Sequence, residues 1–224
     1  MQHSRAELRQ YATHSYRQGG GSRPDVLLIE INGHKAVLKD QNAADPWFAW
    51  LIGPLLNWRE TNALKRLADC EVTPTLLGVP DRRSFLMSFH PSLPITERAK
   101  NPMDWPLFFE RLEHSIHQMH EIGVAHNDLR NPTNTLITDE GHPVLVDLVA
   151  YFSQGSRWNW PRNWIFRKFC QVDLSAITKL KLRYAPELVT ESDIHPEHIA
   201  GQSGMRVKRF GQWVRRVTRA LFTQ

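Results

Sequence analysis

The stretch GVAHNDLRNPTNTLI, residues 123–137, decides the fold, because it places a polar loop between a long helix and a short strand. Before it, LFFERLEHSIHQMHEIG has apolar residues at helical spacing and stops at Gly123, which predicts a buried helix. After it, TLITDEGHPVLVDL predicts two short strands around Asp-Glu-Gly. Asp128 and Asn134 therefore lie in the loop, and Asp147 follows the second strand.

The chain before residue 90 predicts a small antiparallel sheet with one helix. DVLLIEI (25–31) and HKAVLKD (34–40) flank Asn-Gly, which is a strong hairpin signal. TPTLLGVP and RRSFLMSFH indicate two further strands. Between the two pairs, NWRETNALKRLADC (57–70) has its leucines at helical spacing. The whole chain is thus predicted to be α+β, with a sheet-rich N-lobe and a mostly helical C-lobe.

The first residues and the predicted boundaries complete this organisation. Residues 4–17 indicate a weak helix, and GGGS at 19–22 breaks the chain before the sheet. We predict four parts: an N-terminal extension (1–23), an N-lobe (24–90), a C-lobe (91–205) and a basic amphipathic C-terminal helix (206–224).

Composition restricts the class of protein. With 224 residues, 41% of them hydrophobic, the chain can bury a core as one large domain or two small lobes. Its net charge of +5 favours an anionic partner. Cys70 and Cys170 form no metal or disulfide motif, so cytosolic residence is the default expectation. The charged start predicts no signal peptide, and the apolar run 46–56 is too short to cross a bilayer.

Four residues meet the chemical needs of phosphoryl transfer from ATP. The reaction needs a cation on the phosphates, a group to hold that cation, a carboxylate for Mg²⁺ and a carboxylate to orient the attacking hydroxyl. Lys39 ends an apolar strand, and Glu60 lies on the next predicted helix. Asp128 sits in HNDL, and Asp147 follows the strand VLV. The sequence thus offers one candidate for each need.

This order of motifs resembles the protein-kinase superfamily. AVLK is similar to the strand lysine motif, Arg59-Glu60 to the helix that pairs with it, HNDL to the catalytic loop, and VDL to the metal-binding Asp-Phe-Gly. More narrowly, residues 24–190 resemble the small bacterial atypical kinases of the RIO-like and lipopolysaccharide-kinase-like groups. The resemblance implies a two-lobed kinase-like fold with ATP and Mg²⁺ as cofactors.

The loop has one residue more than the kinase pattern between Asp128 and its asparagine. Asn134 immediately precedes the strand TLI, as the kinase asparagine precedes its own strand, so the extra residue falls within Arg130-Asn131-Pro132. Asn131 is the competing metal ligand. We predict that Asn134 and Asp147 bind the metal, with Asn131 turned away.

The resemblance also implies the nucleotide-binding residues. Lys39, held by Glu60, binds the phosphates and acts with Asp128 and Asn134 in catalysis. Ser88 and Phe89, at the end of RRSFLMSFH, are predicted to bind the nucleotide. The usual Gly-rich motif is absent, so Gly20 and Gly21 either cover the phosphates through their amides or belong to a linker.

Other residues near the motifs have supporting roles by the same resemblance. His126 is expected to brace the loop. Asp173 either caps a helix predicted at 172–185 or binds the backbone near His126. Asp147-Leu148-Val149 lacks the usual glycine, which argues against a flipping activation segment.

Two segments combine aromatic and basic residues. Residues 156–169 interleave tryptophans and phenylalanines with arginines and a lysine, and 206–222 places apolar residues on one face of a basic helix. Such mixtures suit a membrane interface, which predicts peripheral contact with the inner face of a membrane. A helix docked on the core is the alternative for 206–222.

We therefore predict a kinase that transfers a phosphoryl group from ATP to a hydroxyl, on either a protein Ser/Thr or a lipopolysaccharide core sugar. One alternative is a catalytically inactive nucleotide-binding scaffold, because the glycines are absent and the loop is longer. Another is a nucleic-acid binder that stacks bases on residues 156–169, which we do not favour.

Overall fold

The N-terminal half of the chain is built on a five-stranded antiparallel sheet, in a computed structural model that describes residues 3–190. The strand order is β1-β2-β3-β5-β4. The strands are β1 (Ala12–Arg17), β2 (Asp25–Ile31), β3 (His34–Asp40), β4 (Leu76–Asp81) and β5 (Ser84–Ser88). The predicted Asn-Gly hairpin joins β2 and β3, with φ of 52° at Asn32 and 80° at Gly33, the left-handed values that its tight turn needs.

The predicted helix at 4–17 is wrong beyond Gln10. Helix α1 (Arg5–Gln10) begins at a capping box formed by Ser4 and Glu7, and β1 follows almost at once. All six side chains of β1 are exposed, so the strand has no apolar alternation to mark it. Pairing of its backbone with β2 is what fixes it as a strand, and the sheet therefore starts upstream of residue 24.

Helix α3 (Gly53–Arg66) packs against β4 and β5 of the sheet, and α2 (Pro46–Leu51) packs against α3. The helix predicted at 57–70 thus begins and ends earlier than expected. Pro54 lies in its first turn, where its missing N–H costs no helical hydrogen bond. The buried face of α3 includes Glu60, Ala63 and Leu64, which directs Glu60 inward.

The C-terminal half is mostly helical. Its helices are α4 (Ile95–Arg98), α5 (Trp105–Glu121) and α6 (Trp160–Tyr184). Its strands are β6 (Ser92–Pro94), β7 (Val124–Ala125), β8 (Thr135–Thr138), β9 (Pro143–Leu145) and β10 (Phe152–Ser153). They form a three-stranded sheet, β6-β8-β9, and a pair, β10-β7.

Helix α6 is much longer than the helix predicted at 172–185. It begins at Trp160, where the Asn159 side chain accepts a hydrogen bond from the backbone N–H of Arg162. Asp173 consequently lies in the middle of the helix and does not cap it. The predicted basic helix at 206–222 lies outside the described residues.

One hydrophobic core crosses from the sheet to the helices. Phe108, Leu112 and Ile116 of α5 pack in the same cluster as Val37 and Phe85 of the sheet. A buried side chain of this size contributes about 1.5–3 kcal/mol. The shared core fixes the sheet relative to the loop that follows α5. Within residues 3–190, no helix combines the length and apolarity needed to cross a bilayer.

Candidate active site

A cavity of about 560 Å³ lies between the sheet and the C-terminal half. Its apolar wall comes from both sides: Val26, Val37, Met87, Leu136, Val144 and Val146. Lys39, Glu60, Asn134 and Asp147 also line it, together with Ser88 and Phe89 at the end of β5. These six predicted residues from the two halves therefore share one cavity, whereas Asp128 is outside its lining.

Lys39 connects the two halves of the site. Its Nζ lies 2.8 Å from Glu60 Oε1, 2.7 Å from Glu60 Oε2 and 2.9 Å from Asp147 Oδ1. Lys39 and Glu60 are buried, so this ion pair is poorly screened by water. Burial alone would lower the pKa of Lys39, but the two carboxylates raise it above its ordinary value. The lysine is therefore held as a cation.

Asp147 is held in an uncommon backbone conformation. Its φ of 66° and ψ of 59° are left-handed, which costs a non-glycine residue of order 1–3 kcal/mol. Burial would raise the pKa of its carboxyl, but the Lys39 charge lowers it below the usual range. Asp147 thus presents an ionised carboxylate to the cavity at the end of β9.

Asp128 and Asn134 are joined within the loop. Asn134 Nδ2 donates to Asp128 Oδ2 at 2.9 Å and to the backbone carbonyl of Asp128 at 3.0 Å. Burial raises the pKa of Asp128, and the charges of Asp147 and Asp173 add to the rise against opposing effects of Asn134 and His126. A carboxylate with a raised pKa is better suited to accept a proton near neutral pH.

The extra loop residue is accommodated in a short helical turn. Residues Pro132–Asn134 form one 3-10 turn, which the Asn131 side chain caps by accepting from the backbone N–H of Thr133. Asn131 also contacts Asn134 directly, because its Nδ2 donates to Asn134 Oδ1 at 3.2 Å. Asn134 lines the cavity, whereas Asn131 is outside its lining.

Asp173 holds the loop from beneath, as the resemblance implied. Its two carboxylate oxygens accept from the backbone N–H groups of His126 at 2.8 Å and Asn127 at 2.7 Å. Asn127 has a φ of 65°, so these bonds stabilise a left-handed residue next to Asp128. His126 braces the loop through its ring, which lies 3.1 Å from the Val146 carbonyl and accepts from the Asp128 N–H.

Arg59 links α3 to the segment that follows Asp147. Its Nε donates to the Val149 carbonyl at 2.9 Å, and its Nη2 donates to the Tyr151 carbonyl. The guanidinium also lies over the Tyr151 ring, 5.1 Å from its centroid. Glu60 is the next residue, so the same helix fixes the lysine's partner and the residues after Asp147.

Gly20 and Gly21 are engaged away from the cavity. The Gly20 N–H donates to the Arg23 carbonyl at 3.2 Å, and the Gly21 N–H donates to Asp45 Oδ1 at 3.1 Å. Neither glycine lines the cavity. Their φ values of 153° and 58° are those of a glycine turn. The structure thus does not bring these two predicted residues to the other nucleotide residues.

Sequence reasoning missed Arg17, which lines the cavity from β1. No local signal marked it, because β1 itself was not predicted. The apolar wall residues were also missed, although strand alternation in β2 and β3 could have indicated Val26 and Val37.

Mg²⁺ fits the donor set that the cavity offers. It takes oxygen ligands and is commonly bound by one or two carboxylates plus substrate phosphates. Asp147 supplies a carboxylate and Asn134 an amide oxygen. Within residues 3–190, no group of three or more His, Cys, Asp or Glu side chains could hold a metal by itself. The remaining ligands would have to come from phosphates and water.

The chain has a protein-kinase-like fold. The chain is similar to the Rio2 kinase from Chaetomium thermophilum, with a TM-score of 0.61 and 18% identity over 82% of this chain and 60% of that one. A second structure, the Rio2 kinase-ADP/Mg²⁺-phosphoaspartate complex from the same organism, gives a TM-score of 0.59 and 18% identity over 82% and 59%. The chain thus spans about 60% of the length of these Rio2 structures.

A third similar structure has a length closer to that of this chain. It is WaaP in complex with acyl carrier protein, with a TM-score of 0.55 and 16% identity over 96% of this chain and 91% of that one. No protein-family model and no curated protein matches the sequence. The similarity therefore defines the fold.

Proposed function

We propose that the protein is an ATP- and Mg²⁺-dependent phosphotransferase with a hydroxyl group as acceptor. The observation that carries this proposal is the contact of Lys39 with both Glu60 and Asp147 beside the Asp128–Asn134 pair. In this arrangement one cation faces the cavity, and two carboxylates stand ready for the metal and the acceptor. The kinase-like fold and the ADP/Mg²⁺ complex of the similar Rio2 kinase support it.

The residues divide the reaction between them. The acceptor oxygen attacks the terminal phosphorus of ATP, the bond to the ADP oxygen breaks, and Asp128 accepts the acceptor's proton. Bound Mg²⁺, held by Asn134 and Asp147, would neutralise charge on the phosphates. Lys39 stabilises negative charge on the phosphate oxygens, and Glu60 keeps its Nζ at the cavity wall.

The acceptor is proposed as either a protein Ser/Thr or a lipopolysaccharide core sugar. Similarity to the Rio2 kinase favours a protein Ser/Thr as the acceptor. Similarity to WaaP over nearly the whole chain favours a lipopolysaccharide core sugar. An inactive scaffold is the weaker proposal, because Lys39, Glu60, Asp128, Asn134 and Asp147 are all present and connected.

The test is label transfer from γ-phosphate-labelled ATP. Purified protein with Mg²⁺ is incubated with separate protein and glycolipid fractions, in parallel with Asp128→Asn. We expect label in one fraction with the wild type and none with the variant. A wild type that neither binds nor turns over ATP would reject the proposal. Label that stays on the protein itself and is released by hydroxylamine would instead indicate an acyl phosphate. The phosphoaspartate of the Rio2 complex is a group of this kind.

We also propose that the start of α6 contacts an anionic membrane surface from the cytoplasmic side. Trp158, Trp160 and Trp164 are 90%, 73% and 52% exposed, with exposed Arg157, Arg167 and Lys168 around them. No acidic residue lies between Asp147 and Asp173, so the patch has one sign of charge. Tryptophan rings suit the headgroup region, and basic side chains are attracted to anionic lipids. Phe166 is buried and belongs to the core.

The exposed aromatic and basic patch at the start of α6 is connected to the segment that follows Asp147. Arg162 of α6 donates to the Ser153 carbonyl at 2.9 Å, and Arg59 of α3 donates to the carbonyls of Val149 and Tyr151. The segment 149–153 that follows Asp147 is therefore held by the same helix that carries the exposed tryptophans.

A further inference from the structure

The phosphates of a nucleotide need more positive charge than the predicted site residues supply. Lys39 has three Nζ protons, and each has a carboxylate oxygen as acceptor, two on Glu60 and one on Asp147. Glu60, Asp147 and Asp128 bring three carboxylates to the site. Positive charge besides that of Lys39 and the metal would therefore strengthen the binding of a polyphosphate chain.

The glycine turn between β1 and β2 does not fill this need. The amides of Gly19, Gly20 and Gly21 donate to Asp25 Oδ1, the Arg23 carbonyl and Asp45 Oδ1 respectively. A side chain at Gly19 would lie 2.5 Å from the Ala43 Cβ, so the turn is packed closely against residues 43–45. The backbone groups that could bind phosphate are thus already engaged.

Arg17 lies immediately before this turn and faces the cavity. In the sheet, Arg17 on β1 pairs with Val26 on β2, and Val26 pairs with Lys39 on β3. Residues directly opposite each other in a sheet point to the same face, so the Arg17 and Lys39 side chains share the face that lines the cavity. Two strand spacings place their Cα atoms about 10 Å apart.

The Arg17 guanidinium is available for a ligand. Among residues 3–190 it has no hydrogen-bond or ion-pair partner, although it is close enough to the carboxylates for its charge to act on Asp147 after that of Lys39. A guanidinium presents its N–H groups as a fork that matches two phosphate oxygens at once.

We infer that Arg17 binds the phosphates of the nucleotide, in the role that amides of a Gly-rich turn would otherwise have. The polyphosphate chain crosses Val26 between Arg17 on one side and Lys39 with the metal ligands on the other. This inference rests on the proposed function for its ligand, and it adds a residue that determines affinity for phosphate over the bare nucleoside.

The test compares three ligands on two matched variants. Binding of adenosine, ADP and ATP, the nucleotides with Mg²⁺, is measured by calorimetry on the full chain, on Arg17→Met and on Arg23→Met. Arg23 is exposed in the same turn and outside the cavity, so it controls for the loss of one positive charge. Arg17→Met should bind ADP and ATP about 10- to 100-fold more weakly, because a hydrogen bond to a charged group is lost, and should bind adenosine normally.

The remaining outcomes separate this inference from the proposed function. Arg23→Met should bind all three ligands like the wild type, and Arg17→Lys should recover part of the ADP affinity. Wild-type ADP and ATP affinity in Arg17→Met, or an equal loss for adenosine, would overturn the role of Arg17 and leave the proposed function intact. A wild type that binds neither nucleotide would overturn both.

Discussion

Asn134 Nδ2 binds both the carboxylate and the backbone carbonyl of Asp128, at 2.9 Å and 3.0 Å, across a loop that is one residue longer than the kinase pattern. The added residue is taken up in the 3-10 turn at Pro132–Asn134. The two ends of the loop therefore stay connected, and a longer loop is not by itself a reason for inactivity.

Asp128→Asn should fold and bind nucleotide but lose phosphoryl transfer by about 10²- to 10⁴-fold, because it removes the group that we propose accepts the acceptor's proton. The Asn side chain keeps an acceptor for the Asn134 amide. Steady-state turnover and ATP binding, measured on the same preparation, would show that transfer is lost while nucleotide binding is retained. Turnover equal to that of the wild type would remove Asp128 from the reaction.

The same variant should be more stable than the wild type at neutral pH. Burial raises the pKa of Asp128, so the folded state disfavours the anion, and this cost is present above the unfolded pKa of about 3.9. The difference in melting temperature between variant and wild type should be positive at pH 7–8 and shrink as the pH falls toward about 4. A variant that melts below the wild type at pH 8 would contradict the direction of the shift.

Asn134→Ala should cost more activity than Asn131→Ala. The first removes the loop clamp and the proposed metal ligand, whereas the second removes a cap worth about 1 kcal/mol and one hydrogen bond to Asn134. The Mg²⁺ concentration for half-maximal activity should rise for Asn134→Ala and change little for Asn131→Ala. The opposite order would make Asn131 the ligand.

Lys39→Met should be strongly destabilising, by about 3–5 kcal/mol, because it leaves the buried Glu60 and the partly exposed Asp147 without their shared cation. Adding Glu60→Gln to it should restore much of the free energy of unfolding, since one uncompensated charge is removed. Activity should not return. Denaturant unfolding of the two single variants and the double variant measures this coupling, and additive losses would show that the pair is not coupled.

Replacing Trp158, Trp160 and Trp164 with serine should weaken binding to anionic lipid vesicles while leaving melting temperature and activity on a soluble acceptor unchanged. These side chains are exposed and contribute little to the core. Binding of the wild type should also fall with added salt, because charges near the surface are screened within a Debye length of about 10 Å at 0.1 M. Co-sedimentation with neutral vesicles is the control. Equal wild-type binding to neutral and anionic vesicles would reject the proposed attraction between the basic side chains and anionic lipids.

Local patterns were enough to predict much of the fold. The Asn-Gly hairpin, the helix before the loop and the two strands after it each have a periodic apolar pattern and a clear turn or stop signal. The pairing of Lys39 with Glu60 came from the resemblance to protein kinases, in which the lysine ends a strand and its partner lies on the following helix.

The missed features depend on contacts between distant parts of the chain. Strand β1 has only exposed side chains and exists because β2 lies beside it. Arg17 enters the cavity through that pairing, and the glycine amides are engaged through Asp25 and Asp45, which no local pattern specifies. Helix α6 was predicted too short because its first turns carry exposed tryptophans in place of an apolar stripe.

The bonds from Arg59 to the carbonyls of Val149 and Tyr151 have a consequence for the Lys39–Glu60 pair. An outward swing of α3 would pull Glu60 from Lys39, but it would also break both bonds and strip the guanidinium from the Tyr151 ring. We therefore expect the Lys39–Glu60 pair to stay closed in the free protein, because opening it would cost all of these contacts.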